Sequence, residues 1–584
     1  MCSIIGYIGS NDAAPILVRA LEKMEYRGYD SVGIATKTKN EINIKKGVGK
    51  VAEVKTNENL QQMAGKIGIG HTRWATHGGV TKQNAHPHYS NSSNVAIVHN
   101  GIIENFQELK ADLVSDGYKF ESETDTEVIV NLIQQNFEKT SDVKDAITKT
   151  ISKLKGHYAF VAMFQDGTLA AARFHEPLII GIEKDNYYIS SDVLGFIEKT
   201  DDAIYIDNEN FIIVNDSGLE IFNFEGQKVK SSITKVSKEF ADVYKGDYAH
   251  FTLKEISEQP QTILKSANKK DIQKFAESIK NSDSLYITGS GSSYNAAEVT
   301  KYLMSKFTKT SITPIISSEL PFSINNIGKN STFIAISQSG ESADVLHAIR
   351  IAKESNSKIF SIINHQNSSL SQESELTLGI NCGPEIGVAA TKSFTSQLAV
   401  LYQITNQLCD NCISTDWQKI SDAFSYILDN DSKIKQIAKQ LNEISDIYVL
   451  GRGIHFPIAK EAALKLKELT YIHAEGIAGG ELKHGPLALM DSSVFVIIIN
   501  PTDSTYGDTM NSANEIKARG AKIIGISNKN DSVYDYWIEI PEMDDSSYPL
   551  VEIIPIQLLS YYAALEKNTD PDYPRNLAKS VTVK

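Results

Sequence analysis

Short apolar runs alternate with glycines and polar turns over roughly the first 225 residues, a pattern typical of β-strands joined by tight connections. The predicted strands are 4–8, 67–70, 95–98, 159–164 and 178–182. Two stretches, 14–24 and 125–137, have helical character instead, and the second follows Ser-Glu-Thr-Asp and carries an acidic residue in its first turn. We predict a first domain over 1–225.

The chain turns polar after this domain. Several lysines and only scattered apolar residues occupy 226–248. We interpret this stretch as a linker, and we predict helices immediately after it that open the second half of the chain.

The second half contains an internal repeat. The segment 282–291 is similar to 445–453, and 358–364 is similar to 522–528. The offset of about 160 residues is too long for a solenoid and indicates a duplicated domain. Each copy is predicted as strand, glycine loop and helix, followed by further strands and helices, which favours parallel, doubly wound α/β sheets.

Two successive units of the first copy end their strands in hydroxyl-rich loops. Predicted strands 285–288 and 333–336 run into Gly-Ser-Gly-Ser-Ser and Ser-Gln-Ser-Gly-Glu-Ser, and predicted helices 294–307 and 343–353 follow. Backbone N–H groups at a helix N-terminus, with added hydroxyls, favour a phosphate. No lysine follows the glycines and no G-x-G-x-x-G is present, so a small phosphate monoester fits better than a dinucleotide. The alternative is that these serines only cap helices.

The second copy has lost these hydroxyls, since 500–504 reads Asn-Pro-Thr-Asp-Ser, and we expect that loop to tolerate substitution. It carries ionisable groups instead. Glu461, Lys465 and Glu468 share one face of a predicted helix. From the sequence alone, a solvated charged face is the favoured interpretation. Lys483 and His484 lie in a glycine-bounded turn, where functional residues concentrate.

The N-terminal half has a different set of candidates. Removal of Met1 would leave Cys2 with both a thiol and a free α-amine that can serve as its base. The alternative is a small buried hydrophobe at the start of a strand. Histidine-containing stretches at 71–77, 84–88 and 99–101 could suggest a metal site, but none has HExxH spacing. Cys409 and Cys412 lack a second CxxC, and we expect two unpaired surface thiols.

Composition narrows the function classes. The 584 residues include 58 Lys+Arg and 72 Asp+Glu, a formal net charge of −14. This balance argues against general nucleic-acid or anionic-membrane binding, which needs clustered basic residues. Four cysteines cannot form a disulfide framework, which favours a reducing compartment. The apolar run at 494–499 is far shorter than the roughly 20 residues of a membrane helix, and the N-terminus does not resemble a signal peptide. We expect a cytoplasmic protein.

Together these motifs closely resemble the family of glutamine–fructose-6-phosphate aminotransferases (isomerising), also called glucosamine-6-phosphate synthases, over essentially the whole chain. The resemblance rests on Cys2, 25–30, 71–77, 99–105, 337–341, 383–388, 480–486 and 574–583. It implies an α+β N-terminal-nucleophile hydrolase sandwich (αββα) over 1–225. Two α/β doubly wound sugar-isomerase (SIS) domains at 249–425 and 426–570 would follow, with a C-terminal catalytic tail at 571–584. One departure is Ser3, where the family usually has glycine.

The resemblance implies a glutaminase site in the first domain. Cys2 would attack the glutamine amide to form a γ-glutamyl thioester, with Asn100 and the Gly101 backbone as the oxyanion hole. Arg73 would bind the glutamine α-carboxylate and Asp125 the α-ammonium. The remaining implied glutamine-site residues are Trp74, which gates ammonia passage, Thr76 and His77.

The resemblance also implies a sugar-phosphate site in the second half. Glu468 would move a proton between C1 and C2, Lys579 would form a Schiff base with the ketose, and His484 of a neighbouring subunit would open the sugar ring. The implied sugar-phosphate-binding residues are Ser293, Ser337, Gln338, Ser339, Ser342, Val388, Glu461 and Lys465. The products would be glucosamine 6-phosphate and glutamate, made by a homodimer joined through the SIS domains with no metal or organic cofactor.

Two rival functions have different sequence requirements. Another glutamine amidotransferase would need a phosphoribosyl-binding Asp-Asp motif followed by a Gly-Thr loop, or a Ser-Gly-Gly-rich pyrophosphate loop for ATP. Asp201-Asp202 and Asp544-Asp545 lack that context. A non-catalytic sugar-phosphate-binding regulator would not need Cys2, Glu468, His484 and Lys579 together.

Overall fold

The structure, a computed structural model, describes residues 2–39, 41–236, 245–267, 271–280, 282, 284–323, 327, 331–366 and 368–582. Two parts of the predictions fall outside these residues: Met1, whose removal would free the Cys2 α-amine, and 237–244 in the middle of the predicted linker. The chain divides into one unit of Met1–Tyr244 with Ala578–Lys584 and a second unit of Lys245–Leu577.

Antiparallel strands dominate the first unit. They are β1 (Ser3–Ile8), β2 (Ser31–Lys37), β3 (Ile42–Val48), β4 (Ile67–Arg73), β5 (His88–Tyr89), β6 (Val95–Ile103), β7 (Gly156–Phe164), β8 (Leu169–Phe174), β9 (Ile179–Glu183), β10 (Asn186–Ser190), β11 (Asp202–Tyr205), β12 (Asn210–Asn215), β13 (Gly218–Asn223) and β14 (Thr234–Lys235). One sheet has the order β14-β11-β9-β10-β1-β4-β2-β3, and the other β13-β12-β8-β7-β6-β5. Each predicted strand falls within one of these or overlaps it.

The two sheets face each other, because Ile4 and Ile69 of the first share a buried cluster with Val98, Val161 and Ala171 of the second. Helices cover the outer faces and bury apolar stripes against them. They are α1 (Ala13–Met24), α2 (Val51–Asn57), α3 (Phe106–Ser115), α4 (Thr126–Thr140) and α5 (Val143–Ile151). The predicted αββα sandwich is confirmed.

The second unit begins with three helices and a parallel α/β sheet. The helices are α6 (Phe251–Ser257), α7 (Gln259–Ala267) and α8 (Ile272–Lys280). The elements that follow are β15 (Leu285–Gly289), α9 (Ser292–Phe307), β16 (Ile312–Ile316), β17 (Thr332–Ser337), α10 (Ala343–Glu354), β18 (Lys358–Ile363), α11 (Ser369–Gln372), β19 (Leu376–Gly379) and α12 (Lys392–Leu408). Its strand order is β16-β15-β17-β18-β19.

A second parallel sheet repeats this topology, with the order β21-β20-β22-β23-β24. Its elements are α13 (Trp417–Asp429), α14 (Ser432–Gln440), β20 (Asp446–Gly451), α15 (His455–Thr470), β21 (His473–Ala478), β22 (Phe495–Ile499), α16 (Tyr506–Lys517), β23 (Lys522–Ser527), β24 (Tyr536–Glu539), α17 (Tyr548–Val551) and α18 (Ile553–Glu566). The predicted duplication of a doubly wound α/β domain is therefore confirmed.

The predicted linker starts too early. Thr234 and Lys235 form strand β14, which pairs with β11 at the edge of the larger sheet, and Val236 is buried. Lys235 lies 2.8 Å from the Asp201 carboxylate and 2.9 Å from that of Asp202. The polar composition of this stretch reflects an exposed edge strand held by ion pairs.

The expectation of two unpaired surface thiols is wrong, because Cys409 and Cys412 form a disulfide. The chain turns through Asp410 and Asn411, which both have positive φ, and this turn brings the two cysteines together. Cys2 and Cys382 are not part of a disulfide.

One stretch of the described residues, Tyr548–Glu566, is long and apolar enough to cross a membrane by length and composition. The 18-residue apolar part of this stretch is 89% buried inside the protein, as expected for a core helix.

Candidate functional site

Cys2 lies immediately before β1, beside the end of β4. The Trp74 backbone N–H donates to Cys2 Sγ at 3.3 Å, and the thiol lies 3.5 Å from the Trp74 carbonyl oxygen. Burial raises the pKa of the Cys2 thiol, while the Trp74 N–H and Arg73 act in the opposite direction. The thiol therefore needs a base at neutral pH before it can attack as a thiolate.

Ser3, the departure from the family pattern, is accommodated inside the fold. Its side chain is fully buried and its hydroxyl donates to the Met24 carbonyl at 2.8 Å. The hydroxyl is thus used in tying β1 to the end of α1.

The two residues predicted as oxyanion donors are neighbours on β6, and the first of them contacts Cys2. Asn100 Nδ2 donates to the Cys2 carbonyl at 3.2 Å. Gly101 follows with φ of +110°, and a Cβ built there would lie 2.0 Å from the His157 carbonyl oxygen. Only glycine fits this bend of β6, and the bend presents backbone next to the Asn100 amide.

Cationic and anionic groups flank the thiol. The Arg73 guanidinium donates to the Gly78 and Gly79 carbonyls at 3.2 Å each and also to the His77 carbonyl. Burial lowers the pKa of Arg73, opposed by the nearby Cys2 and Asp125 among other groups. Asp125 accepts the Ile103 N–H at 2.8 Å at the start of α4.

Thr76 is exposed and His77 is half-buried in the turn that receives the Arg73 guanidinium. The His77 ring packs against Phe106 with the ring centroids 5.2 Å apart. The predicted glutamine-site residues of the first unit therefore lie on β4 and the turn after it, on β6, before β1 and at the start of α4.

In the second unit, the loop after β17 folds around its own hydroxyls. Ser337 Oγ accepts the Gly340 N–H at 3.0 Å and lies 3.4 Å from Ser342 Oγ. Ser339 Oγ accepts the Glu341 N–H at 3.1 Å. Gly340 has φ of +70°, and a Cβ there would meet Ser368 Oγ at 2.0 Å. These contacts fix a tight turn at the N-terminus of α10, with Gln338 inside it.

Ser293 lies at the start of α9, in the equivalent position of the preceding unit. It is buried and accepts a hydrogen bond from Gln397 Nε2 of α12 at 3.1 Å. Val388 is also buried, and its N–H donates to the Asp572 carbonyl at 3.2 Å. Both residues therefore belong to the packed interior.

The favoured interpretation of the charged face of α15 is wrong. The side chains of Glu461 and Lys465 are 0% exposed, and that of Glu468 is 20% exposed. Lys465 Nζ lies 3.5 Å from the Glu461 carboxylate and 2.5 Å from that of Glu468. Helix α9 of the other repeat covers this face, since Ser292 and Asn295 donate to Glu461 at 2.7 and 2.8 Å.

Burial and neighbouring charges set the protonation of this cluster. Burial raises the pKa of Glu461, against the opposing effects of Lys465 and Asn295. Burial alone would lower the pKa of Lys465, but Glu468 and Glu461 outweigh it and raise the pKa. Lys465 therefore stays charged beside Glu468, the one of the two acids that solvent reaches.

Comparison with known proteins identifies the family to which this chain belongs. A glutamine amidotransferase domain model matches residues 71–197, and a SIS domain model matches 278–407 and 440–567. A protein of Pyrococcus horikoshii named glutamine–fructose-6-phosphate aminotransferase [isomerizing] is 42% identical over 598 residues, with 100% of both chains covered. Proteins of the same name in Clostridium acetobutylicum and Francisella tularensis are 39% and 40% identical, again over 100% of both chains.

The chain belongs to the glutamine–fructose-6-phosphate aminotransferase (isomerizing) family. Among solved structures, it is similar to the C-terminal domain of glucosamine-fructose-6-phosphate aminotransferase from Francisella tularensis. The TM-score is 0.53 at 36% identity, covering 57% of this chain and 100% of that one. A tagatose-6-phosphate ketose/aldose isomerase from Escherichia coli, 18% identical with a TM-score of 0.50 over 56% of this chain and 95% of that one, shares the fold alone.

Two further predicted site residues, His484 and Lys579, lie on elements other than α15. His484 is exposed at the end of the short helical turn Gly479–His484, and among the described residues no hydrogen bond joins it to that cluster. Lys579 is half-buried and belongs to the first unit with the rest of Ala578–Lys584. Nearby, Thr582 is buried and donates to Glu176 at 2.9 Å, so the described tail is packed rather than frayed.

Sequence reasoning missed three residues close to the Cys2 backbone, namely Tyr26, Arg27 and Asp192. Arg27 Nε donates to the Cys2 carbonyl at 3.3 Å, and the same guanidinium pairs with Asp192 at 3.2 Å, with both side chains nearly buried. Tyr26 also donates to Asp192, at 2.5 Å. The signal was present in the 25–30 motif, but the partner Asp192 lies far along the chain.

The expectation that 500–504 tolerates substitution also needs correction. His455, fully buried, lies 2.9 Å from the Asp503 carboxylate through Nε2 and 2.9 Å from that of Glu552 through Nδ1. Burial alone would lower the pKa of His455, but Glu552 and Asp503 raise it to about 10. Asp503 therefore belongs to a buried cluster of charged side chains, whereas the exposed Ser504 is not part of it.

Proposed function

We propose that this chain transfers the amide nitrogen of glutamine to fructose 6-phosphate and isomerises the adduct, giving glucosamine 6-phosphate and glutamate. The observation that carries the proposal is the presence of two reactive centres on one chain. Cys2 lies beside two candidate oxyanion donors, and a buried acid–lysine–acid cluster lies on the helix α15.

In the glutaminase reaction, Cys2 attacks the side-chain carbonyl carbon of glutamine. With Met1 removed, its own α-amine takes the thiol proton, since burial raises the pKa of the thiol. Negative charge develops on the amide oxygen, where Asn100 Nδ2 and the Gly101 N–H donate. The C–N bond breaks, the proton goes to the leaving nitrogen, and ammonia departs. Water then hydrolyses the γ-glutamyl thioester to glutamate.

Arg73 and Asp125 fix the amino-acid end of glutamine. A guanidinium suits the α-carboxylate because it donates two parallel hydrogen bonds, and a carboxylate suits the α-ammonium. The turn carbonyls that accept from Arg73 hold the guanidinium in place before substrate arrives. Trp74, Thr76 and His77 complete this subsite.

In the synthase reaction, hydroxyls and backbone N–H groups of the turn after β17 bind the sugar phosphate, together with Ser293 and Val388. Lys579 forms a Schiff base with C2 of the ketose, and ammonia replaces it. Glu468 moves a proton from C1 to C2, since it is the acid of the cluster that solvent and substrate can reach. Lys465 Nζ lies 2.5 Å from the Glu468 carboxylate and holds it in place for this step.

His484 serves the site of a partner subunit in a homodimer formed through the SIS domains, and its exposed side chain is compatible with that role. It protonates the ring oxygen as the sugar opens. We place the enzyme in the cytoplasm, and no step above requires a metal or organic cofactor.

The direct experiment incubates the purified chain with glutamine and fructose 6-phosphate and assays amino sugar and glutamate. We expect both products in equal amounts. Sugar-phosphate binding without turnover would indicate a non-catalytic regulator. Glutamate release without amino sugar, together with nitrogen transfer to a different acceptor, would indicate another glutamine amidotransferase.

A further inference from the structure

A buried histidine connects the two sheets of the first unit beside the oxyanion donors. His71 lies on β4, directly opposite Ile4 of β1. Its Nε2 atom lies 2.9 Å from the His99 carbonyl oxygen and 3.1 Å from Asn100 Oδ1, both on β6 of the other sheet. The side chain is 1% exposed.

These contacts define the tautomer of the ring. A backbone carbonyl can only accept, so the His71 Nε2 atom carries the hydrogen that it donates to His99. The other nitrogen, Nδ1, is buried and has no hydrogen-bond partner among the described residues. Burial lowers the pKa of His71 to about 3, although its hydrogen bonds to the His99 carbonyl and Asn100 act in the opposite direction, so the ring is neutral at working pH.

The same N–H group determines the orientation of the Asn100 amide. Asn100 Oδ1 faces the His71 donor, and this leaves Nδ2 to donate to the Cys2 carbonyl at 3.2 Å. A flipped amide would place its oxygen against the Cys2 carbonyl oxygen and its NH2 against the His71 N–H. Both contacts would be repulsive.

We propose that His71 is a positioning residue for amide hydrolysis: its neutral Nε2–H holds the Asn100 amide with the NH2 group toward the reacting carbonyl. The inference rests on the proposed glutaminase reaction. His71 does not touch the substrate in this account. It prevents the amide from presenting its oxygen, which would repel the developing oxyanion.

The surrounding histidines support a fixed ring. The His86 ring packs against His71 with ring centroids 4.2 Å apart and the planes tilted by 30°, and its Nε2 lies 3.1 Å from Thr126 Oγ1. The same hydroxyl lies 2.9 Å from His99 Nδ1. Burial lowers the pKa of both His86 and His99, so these histidine rings are neutral rather than charged.

The test compares two amide substitutions in the full chain. The terminal nitrogen of glutamine in His71→Gln reaches about as far as imidazole Nε2, whereas that of asparagine in His71→Asn reaches only as far as Nδ1. We expect His71→Asn to lower glutaminase kcat by about 100-fold, the loss typical of an oxyanion donor, with KM for glutamine nearly unchanged. His71→Gln should retain kcat within about tenfold of wild type, and both should bind fructose 6-phosphate normally.

Equal kcat in His71→Asn and wild type would overturn the proposal, and so would equal losses in the two variants, which would indicate a space-filling role. If the wild-type chain itself hydrolyses no glutamine, the proposed function fails instead. A second measurement does not depend on whether the His71→Asn variant folds. It is 15N NMR of the wild-type chain labelled in its imidazole nitrogens, with the His71 signals assigned by their loss in His71→Gln. The spectrum should show a hydrogen on Nε2 and none on Nδ1. The opposite tautomer would contradict the proposal.

Discussion

Asp503 accepts a hydrogen bond at 2.9 Å from His455, a histidine that the fold buries completely. When the repeats are aligned on their glycines, His455 occupies the position of Ser293 in the first SIS domain. The loop that would carry phosphate-binding hydroxyls carries Asp503 instead. The second SIS domain therefore fills this position with its own carboxylate and imidazole.

Asp503→Ala should destabilise the second unit by about 3–5 kcal/mol, since removal of one partner leaves a buried charge poorly compensated. The exposed neighbour Ser504 provides the matched control, and Ser504→Ala should change stability by less than about 0.5 kcal/mol. Urea unfolding followed by circular dichroism measures both. Equal stability of the two variants would show that the His455 cluster contributes little.

The same cluster predicts a pH dependence. The pKa of His455 is raised to about 10 in the folded chain, above its unfolded value of about 6.5. Its contribution to stability is therefore fully present below pH 6.5 and is lost as pH rises toward 10. Thermal unfolding of wild type should lose more stability between pH 7 and 10 than His455→Gln does. Parallel profiles for the two proteins would contradict the assigned charge.

Cys2→Ala should abolish glutamine hydrolysis, because a methyl group cannot attack an amide. Fructose 6-phosphate binding should be unchanged, since the sugar-site residues after β17 lie in the other unit. Glutamate release and calorimetric titration measure the two properties separately. Cys382→Ala, at the other cysteine outside the disulfide, is the control and should retain hydrolysis. Glutamine-dependent synthesis by Cys2→Ala at the wild-type rate would refute the assigned nucleophile.

Ser339→Ala should weaken fructose 6-phosphate binding by about 0.5–1.5 kcal/mol through loss of one neutral hydrogen bond. Glutamine hydrolysis should continue normally. The corresponding second-repeat variant Ser504→Ala should bind the sugar phosphate like wild type. Calorimetry on both proteins is the measurement, and identical affinities would argue against a phosphate site in this turn.

Lys579→Arg should remove synthase activity and leave the fold intact, because a guanidinium keeps the charge but forms no imine. Borohydride reduction in the presence of fructose 6-phosphate, followed by peptide mass mapping, should place the adduct on Lys579 in wild type. An adduct on another lysine, or full synthesis by the variant, would show that the tail has a different role.

Local patterns predicted much of this protein, namely the strands of the sandwich, the duplicated α/β topology and the hydroxyl-rich turns. Their signals lie within a few consecutive residues. The burial of Glu461 and Lys465 could not be predicted this way, because their spacing is the same on a solvated helix. Only the packing of α9 from the other repeat distinguishes the two cases.

Long-range partners account for the other misses. Arg27 pairs with Asp192, and His455 with Glu552, across separations that no local motif records. The Cys409–Cys412 disulfide depends on backbone conformation between the two residues, where Asp410 and Asn411 adopt positive φ. Composition and spacing carry no information on that geometry.

The central claim is that nitrogen passes from glutamine to the sugar on one chain. The most direct measurement supplies glutamine labelled with 15N in the side-chain amide, fructose 6-phosphate and an excess of unlabelled ammonium, and analyses the amino sugar by mass spectrometry. The account predicts glucosamine 6-phosphate that carries 15N, with one glutamate formed for each sugar. Unlabelled amino sugar, or labelled ammonia with no amino sugar, would contradict it.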